Sequence, residues 1–207
     1  TDVTADVKGH GTHVAGIIGA RANEDFGRGI APDSTLYSFR VLSDDGRGSS
    51  AELMAGIRSA IDLKVDLINM SLSGPSYSGL EQTVLNEAYQ AGITVIAAAG
   101  DDGSQSEHYP AAYDHVISVT ATDQNNVRAD FSNYSTTIDL AAPGVDIPST
   151  YNDNSYKLAS GTSMACPVVT GEAAVLLSAG LPALEGKTGT DRVDALEAVL
   201  KANTISA

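Results

Sequence analysis

The 207-residue sequence has few of the residues that cross-link proteins or bind nucleic acids. Its single cysteine, Cys166, excludes a disulfide within the chain and a zinc site built from cysteines. Only 12 Lys and Arg residues stand against 26 Asp and Glu, and the formal charge of −14 opposes phosphate backbones and anionic lipid surfaces. We therefore expect no nucleic acid partner.

Long apolar runs and a leader sequence are also lacking. The run from Val95 to Ala99 is far shorter than the roughly 18 residues that a spanning helix needs, so we expect no membrane span. The first residues do not combine a basic segment with an apolar core, as a signal peptide would. This start is unlike a natural beginning, and we expect an upstream segment.

The residues that are present suffice for one globular domain. Hydrophobic residues make up 43% of the chain and charged residues 18%, which allows a substantial core. Apolar β-rich runs predict strands at residues 35–42, 65–72, 93–100 and 115–121. Helical periodicity predicts helices at 49–63 and 80–90 between these strands, and at 163–179 and 191–202 after them. This order predicts an α/β fold with a mostly parallel central sheet and helices on both faces.

Two segments carry residues suited to nucleophilic catalysis. GHGTHVAG places His10 before an apolar helical run, and GTSMACP places Ser163 at the start of another helix. Alone, the serine fits a helix N-cap and the histidine a structural role. Together they fit a nucleophile and its base, because the imidazole takes the hydroxyl proton and the helix N-terminus offers N–H groups to an oxyanion. The histidine precedes the serine, which is not the order of an α/β-hydrolase.

With the motifs between them, these segments resemble the subtilases, the subtilisin-like serine peptidases. The intervening motifs occur in that family's order: GIAPDSTLYSFRVL, DLINMSLSGP, AAAGDDG, YPAAYDHVISVTATD, FSNY and LAAPG. The resemblance implies a three-layer subtilisin-like peptidase domain over residues 1–207. It also implies that His10 is the general base, that Ser163 is the nucleophile attacking a polypeptide substrate, and that His13 is structural.

The sequence departs from the subtilase pattern ahead of His10. The Asp of the triad lies in that family on an N-terminal strand well before the histidine, but only nine residues precede His10 here. Asp2 and Asp6 lack the strand and the flanking residues of that Asp. We expect the domain to lack its N-terminal strand region, and we expect a propeptide or another N-terminal segment as a partner.

Two further departures lie close to the nucleophile. Asp101 occupies the position of the oxyanion-hole Asn of the subtilases, where a carboxylate must be protonated to donate a hydrogen bond. A catalytically silent homologue that acts as a binding or structural module is therefore the alternative to an active peptidase. Cys166 is either a small buried helix residue or an accessible thiol that modulates activity.

The resemblance also implies a substrate cleft. Backbone of residues 71–74 and 46–49 would pair with an extended substrate. The substrate-binding residues implied are Ser71, Leu72, Ser73, Gly74, Ala98, Gly100, Asp102, Glu107 and His108. The carboxylate of Glu107 resembles an acid that furin-like relatives pair with Arg, which predicts a preference for basic side chains; His108 could instead favour an acidic or polar one.

A structural calcium ion is the cofactor that the resemblance implies. Its ligands would be Asp139 together with carbonyls near Asp114 and Val116, since Ca²⁺ prefers hard oxygen ligands. The alternative is that Asp139 is one solvated acid among many. Export is common among subtilases, and it implies an extracellular or cell-surface location.

Overall fold

The structure, a computed structural model, describes residues 5–24 and 27–204. These residues form five helices and six strands in the order expected of an α/β protein. The helices are α1 (His10–Gly19), α2 (Ser50–Asp62), α3 (Gly79–Gln90), α4 (Thr162–Ser178) and α5 (Gly189–Ala202). The strands are β1 (Leu67–Met70), β2 (Thr94–Ala98), β3 (Val116–Thr122), β4 (Leu140–Pro143), β5 (Ile147–Thr150) and β6 (Tyr156–Ala159).

A parallel sheet with the strand order β1-β2-β3-β4 divides the core into two halves. Successive side chains of a strand point to opposite faces, so Val95 and Ala97 pack with α2 and α3, whereas Ile96 and Ala98 pack with α4 and α5. Strands buried on both faces are typical of sheets covered by helices on each side. The three-layer α/β fold predicted from the sequence is confirmed.

Local hydrogen bonds explain where two of the helices begin. At α2, Ser49 Oγ accepts from Glu52 N while the Glu52 side chain accepts from Ser49 N, which forms a capping box. At α1, the Asp6 carboxylate accepts from Gly9 N at 2.9 Å and from Thr12 N at 2.7 Å. Asp6 thereby satisfies N–H groups that a helix N-terminus leaves without partners.

The strand predicted at residues 35–42 is wrong. Over this segment the backbone runs without regular secondary structure, and in the described chain none of its N–H groups donates to a backbone carbonyl. Leu36, Tyr37 and Phe39 remain exposed. A strand requires a neighbour to pair with, and here a cavity of about 760 Å³ separates the segment from the free edge of β1.

The β5-β6 hairpin was not predicted from the sequence, although it supports α1. Its strands pair antiparallel, and Ser149 Oγ donates to the His13 carbonyl at 2.6 Å. Apart from the segment at 35–42, the predicted helices and strands lie at the expected places. Among the described residues, none of the helices combines the length and apolar character that spanning a membrane requires.

Candidate active site

His10 is the first residue of α1, and its surroundings favour a neutral imidazole. Gly9 before it has a φ of 78°, and a Cβ at Gly9 would lie only 2.4 Å from the Tyr151 ring. Burial lowers the pKa of His10, while the negative charges of Asp6 and Asp101 raise it. The net shift is downward, which favours the proton-accepting form at neutral pH.

Ser163 lies in the first turn of α4, where backbone N–H groups and the positive end of the helix dipole face the site. Its Oγ donates to the Ser71 carbonyl at 3.3 Å, and Ser71 Oγ donates to the Ser163 carbonyl at 2.8 Å. Within the described residues no hydrogen bond joins Ser163 to the ring of His10. Catalytic hydrogen bonds are often long until substrate binds, so the lack of this hydrogen bond is compatible with a nucleophile and its base.

Asp101 lies between the two helix starts. Its Oδ1 accepts from Thr162 N at 2.8 Å, and its charge acts on His10. In the part of the chain that the structure describes, the N–H of Ser163 has no acceptor, so it is available to an oxyanion. The carboxylate of Asp101 is thus held at the site by a hydrogen bond that it accepts.

A cleft of about 910 Å³ extends from His10 along the two backbone segments that are predicted to pair with a substrate. Residues 46–49 line one side, and Ser71, Leu72, Ser73 and Gly74 line the other. The Gly74 backbone is itself held by an antiparallel bridge to Tyr109. The two backbone segments predicted to pair with a substrate therefore line the same cleft as the predicted base.

Four of the predicted pocket residues also come together. His108 Nε2 lies 2.8 Å from Asp102 Oδ2, and its Nδ1 lies 3.4 Å from Ser73 Oγ. A Cβ on Gly100 would be 2.6 Å from His108 Nδ1, so the ring packs directly against that backbone. Ala98, the last residue of β2, is buried in the core that packs against α4.

Glu107 is not part of this cluster. It is exposed, and its Oε2 lies 3.4 Å from the Tyr109 hydroxyl. The carboxylate in contact with the pocket is instead that of Asp102, which already pairs with His108. The geometry gives no support to the expected preference for basic side chains.

The calcium site expected at Asp139, Asp114 and Val116 does not fit the contacts of these residues. Asp139 accepts from Ser118 N at 2.9 Å and from Lys201 Nζ at 2.7 Å. The Asp114 carbonyl accepts from Gln82 Nε2 at 3.3 Å, while Val116 belongs to the β2-β3 ladder. No cluster of three His, Cys, Asp or Glu side chains suited to a metal occurs among the described residues.

Of the two aspartates ahead of His10, the structure describes Asp6, which is not placed as a triad partner. Asp2 lies outside the described residues. Asp6 caps α1, and its Oδ2 also accepts from Thr12 Oγ1 at 2.7 Å. Burial raises the pKa of Asp6, but hydrogen bonds from Thr12 and Gly9 together with the charge of His10 outweigh it, so the pKa is lowered. Its oxygens are engaged with the helix start, and among the hydrogen bonds of the described residues none joins Asp6 to the imidazole.

Sequence reasoning missed Asn133, which holds the loop after β2. Asn133 is fully buried; its Oδ1 accepts from Asp102 N at 3.0 Å and its Nδ2 donates to the Ala99 carbonyl at 3.0 Å. The FSNY motif that contains it was the available signal. Cys166 is also buried, and burial raises the pKa of its thiol to about 12, which leaves no reactive thiolate near neutral pH.

Comparison with known proteins places this geometry in context. The model of the subtilase family matches residues 1–204. Subtilisin DY of Bacillus licheniformis is 45% identical over 177 residues, covering 84% of this chain and 65% of that protein. A thermostable alkaline protease of Halalkalibacterium halodurans is 47% identical over 173 residues, covering 84% of this chain and 48% of that protein.

A solved structure agrees with the sequence comparisons. The crystal structure of a cold adapted subtilisin-like serine proteinase superposes with a TM-score of 0.84 at 33% identity, covering 96% of this chain and 69% of that one. The chain therefore spans about half to two thirds of the length of these two curated relatives.

Proposed function

Because the chain belongs to the subtilase family, we propose that the whole protein is a serine endopeptidase that cleaves extended polypeptides. One observation carries this proposal: α1 and α4 pack together with His10 and Ser163 at their N-terminal starts, and His10 lines a cleft that has a segment of backbone on each side. Two such backbone segments suit a substrate in β-conformation, which pairs through its own backbone.

In the proposed reaction, His10 takes the proton of Ser163 as Oγ forms a bond to the scissile carbonyl carbon. The resulting oxyanion accepts a hydrogen bond from the Ser163 N–H at the positive end of α4. His10 then returns the proton to the leaving amine, and the C–N bond breaks to give the acyl-enzyme. Water, deprotonated by the same imidazole, hydrolyses that ester and regenerates the serine.

The competing function is a catalytically silent subtilase that binds polypeptides in the same cleft. The observation in its favour is Asp101, whose carboxylate accepts a hydrogen bond close to where the oxyanion would form. Two observations favour the active enzyme. The surroundings of His10 lower its pKa, and the Ser163 N–H has no acceptor among the described residues. Reactivity of Ser163 separates the two functions, because a binding module has no need of an activated hydroxyl.

Labelling with a fluorophosphonate probe tests the proposal on the full-length protein. We expect covalent modification of Ser163, and we expect Ser163→Ala or His10→Ala to reduce casein hydrolysis by about 10³-fold or more. Ser59→Ala is the matched control, since Ser59 is exposed on α2 and its Oγ donates to the Ala55 carbonyl of the same helix. An unlabelled Ser163, or unchanged turnover in either alanine variant, would favour the binding module.

We further propose that an N-terminal segment of the whole protein completes the site by adding a strand beside β1. The cavity between β1 and residues 34–41 supports this proposal, since an unpaired strand edge borders it on one side and a segment without regular secondary structure on the other. Residues of α1 and α4 line one side of the cavity and residues of α2 the other, as around an interior strand. A carboxylate at the end of such a strand would orient His10, which has no carboxylate hydrogen bond among the described residues.

A propeptide and an extracellular or cell-surface location are part of the same proposal. Their support is membership of the subtilase family, since the resemblance implies export with a propeptide. Expression of the full-length gene, followed by N-terminal sequencing of the protein in the medium and in the cells, would test both. Retention of an unprocessed chain inside the cell would contradict them.

A further inference from the structure

The path for a substrate side chain begins at the nucleophile and runs between two segments of backbone. One segment is Ser71–Gly74, whose first carbonyl lies 3.3 Å from Ser163 Oγ. The other is residues 98–100, which leads to Asp101 and its hydrogen bond to the first turn of α4. A substrate strand that pairs with residues 71–74 while Oγ attacks its carbonyl carbon can place the side chain next to that carbonyl between these two segments.

His108 occupies the space between the same two segments. Its Nδ1 lies 3.4 Å from Ser73 Oγ on one side, and its ring contacts Gly100 so closely that a Cβ there would be 2.6 Å away. The residue is only 9% exposed, although it belongs to a loop. The imidazole therefore bridges the two walls of the side-chain path.

A connected set of hydrogen bonds holds this ring in place. Asp102 Oδ2 lies 2.8 Å from His108 Nε2, and the Asp102 backbone donates to the buried Asn133 at 3.0 Å. Moving the ring aside would leave a buried imidazole without its carboxylate partner, which costs free energy. A large side chain cannot displace the ring without breaking these contacts.

We infer that His108, positioned by Asp102, shortens the specificity pocket and selects substrates with a small uncharged side chain, such as Ala or Ser, next to the scissile carbonyl. The inference rests on the proposed endopeptidase activity. Basic side chains gain no free carboxylate, because Asp102 is already paired and Glu107 is exposed beside Tyr109. Acidic side chains would approach the negative charge of Asp102.

Peptide libraries that vary only this position test the inference on the full-length protein. In the wild type we expect kcat/KM for Ala to exceed that for Phe by at least about tenfold, in line with the selectivity of short apolar pockets. His108→Ala should raise the ratio of kcat/KM for Phe to kcat/KM for Ala by about tenfold or more. Asp102→Asn, which keeps the ring but weakens its hold, should give a smaller gain for Phe.

His115→Asn is the matched control, since it removes a histidine that stacks on Tyr89 away from the cleft. It should leave the Ala-to-Phe ratio unchanged. If His108→Ala does not fold, inhibition of the wild type by peptide aldehydes ending in Ala or Phe gives the same comparison, with the Ala aldehyde expected to bind at least about tenfold more tightly.

Two negative outcomes are distinguishable. Turnover by the wild type with Phe or Arg preferred over Ala, or a ratio that survives both pocket substitutions, would overturn the assignment of His108 and leave the endopeptidase intact. Absence of turnover on every library together with an unlabelled Ser163 would refute the proposed function, and this inference with it.

Discussion

Asp101 exerts two electrostatic effects on the candidate site, and they act on different steps. Its negative charge raises the pKa of His10, which opposes the lowering by burial. The same charge lies close to the N-terminus of α4, where an oxyanion would accept from the Ser163 N–H. An amide in its place would remove the charge from both and would add a donor.

Asp101→Asn is therefore expected to change rate and pH profile together. Since removing one oxyanion donor costs about 10²–10³-fold in kcat, gaining one should raise kcat near neutral pH, by up to a comparable factor. Loss of the negative charge lowers the pKa of His10, so the acidic limb of kcat/KM should move to lower pH. Rate measurements between about pH 4 and 8 would show both effects.

Asp62→Asn provides the control, because it removes one exposed carboxylate at the end of α2 with no part in the shift at His10. That variant should keep the acidic limb in place. An Asp101→Asn enzyme with the same kcat and the same limb as the wild type would show that Asp101 acts on neither the oxyanion nor the imidazole.

An ion pair between α5 and Asp139 bears on the calcium site that was expected from the sequence. Lys201 Nζ donates to Asp139 Oδ1 at 2.7 Å and to Glu197 Oε1 at 2.6 Å, which connects α5 to the residue just before β4. An ammonium group thus neutralises the carboxylate that was expected to bind calcium. The connection joins residues 62 positions apart, so no local sequence pattern could reveal it.

Removing either partner of this pair should lower the free energy of unfolding modestly. Both side chains are partly exposed, so we expect a coupling of about 0.2–1 kcal/mol between Lys201→Met and Asp139→Asn in a double-mutant cycle measured by denaturant unfolding. Lys187→Met is the control, as Lys187 makes no ion pair among the described residues. Strictly additive effects would argue against the pair, and a calcium-dependent rise in Tm that Asp139→Asn abolishes would restore the metal site.

The elements that the sequence predicted well are those whose signals are local. The helical face of α2 and its Ser49–Glu52 capping box lie within one segment, as do the fully buried β2 and β3. The segment at 35–42 has the composition of a strand, but pairing depends on a neighbour that its composition cannot supply. The β5-β6 hairpin escaped notice because its half-buried strands lack a continuous apolar run.

The same distinction applies to the candidate site. His10 and Ser163 could be predicted because each stands in a distinctive motif at a helix start. The placement of His108 against Gly100 could not, since it depends on how two loops meet. The roles of Asp6 as a helix cap and of Asn133 as a loop anchor likewise appear only through contacts between segments.

At the scale of the whole molecule, one edge of the sheet has the surroundings of an interior strand. β1 is the first strand in the sheet order, yet helices cover both faces of the space beyond its free edge. Exposed Leu36, Tyr37 and Phe39 line the far side of that space. An unpaired edge bordered by apolar side chains is a template for another strand, and filling it would bury this surface.

The strand that fits this space has definable chemistry. It should be apolar at every position, because α1 and α4 line one side of the cavity and α2 the other. It should run parallel to β1, as the other strands of this sheet do. Its carboxyl end would then reach the edge of the sheet at which Ser71 follows β1, where a terminal Asp could accept from His10.

Complementation tests this proposal with the isolated 207-residue chain. Alone, the chain should hydrolyse casein only weakly, since an imidazole without its carboxylate partner loses about 10⁴-fold in kcat. A synthetic peptide matching the proposed upstream strand and ending in Asp should raise both Tm and turnover. The same peptide with Asn in place of Asp should raise Tm equally while leaving turnover low, because the strand still pairs but the imidazole lacks its charge partner. Ala174→Phe, which fills the cavity from α4, should abolish both responses. Full turnover by the chain without any peptide would refute the proposal, and Asp6→Asn would then show whether the cap of α1 also serves the imidazole.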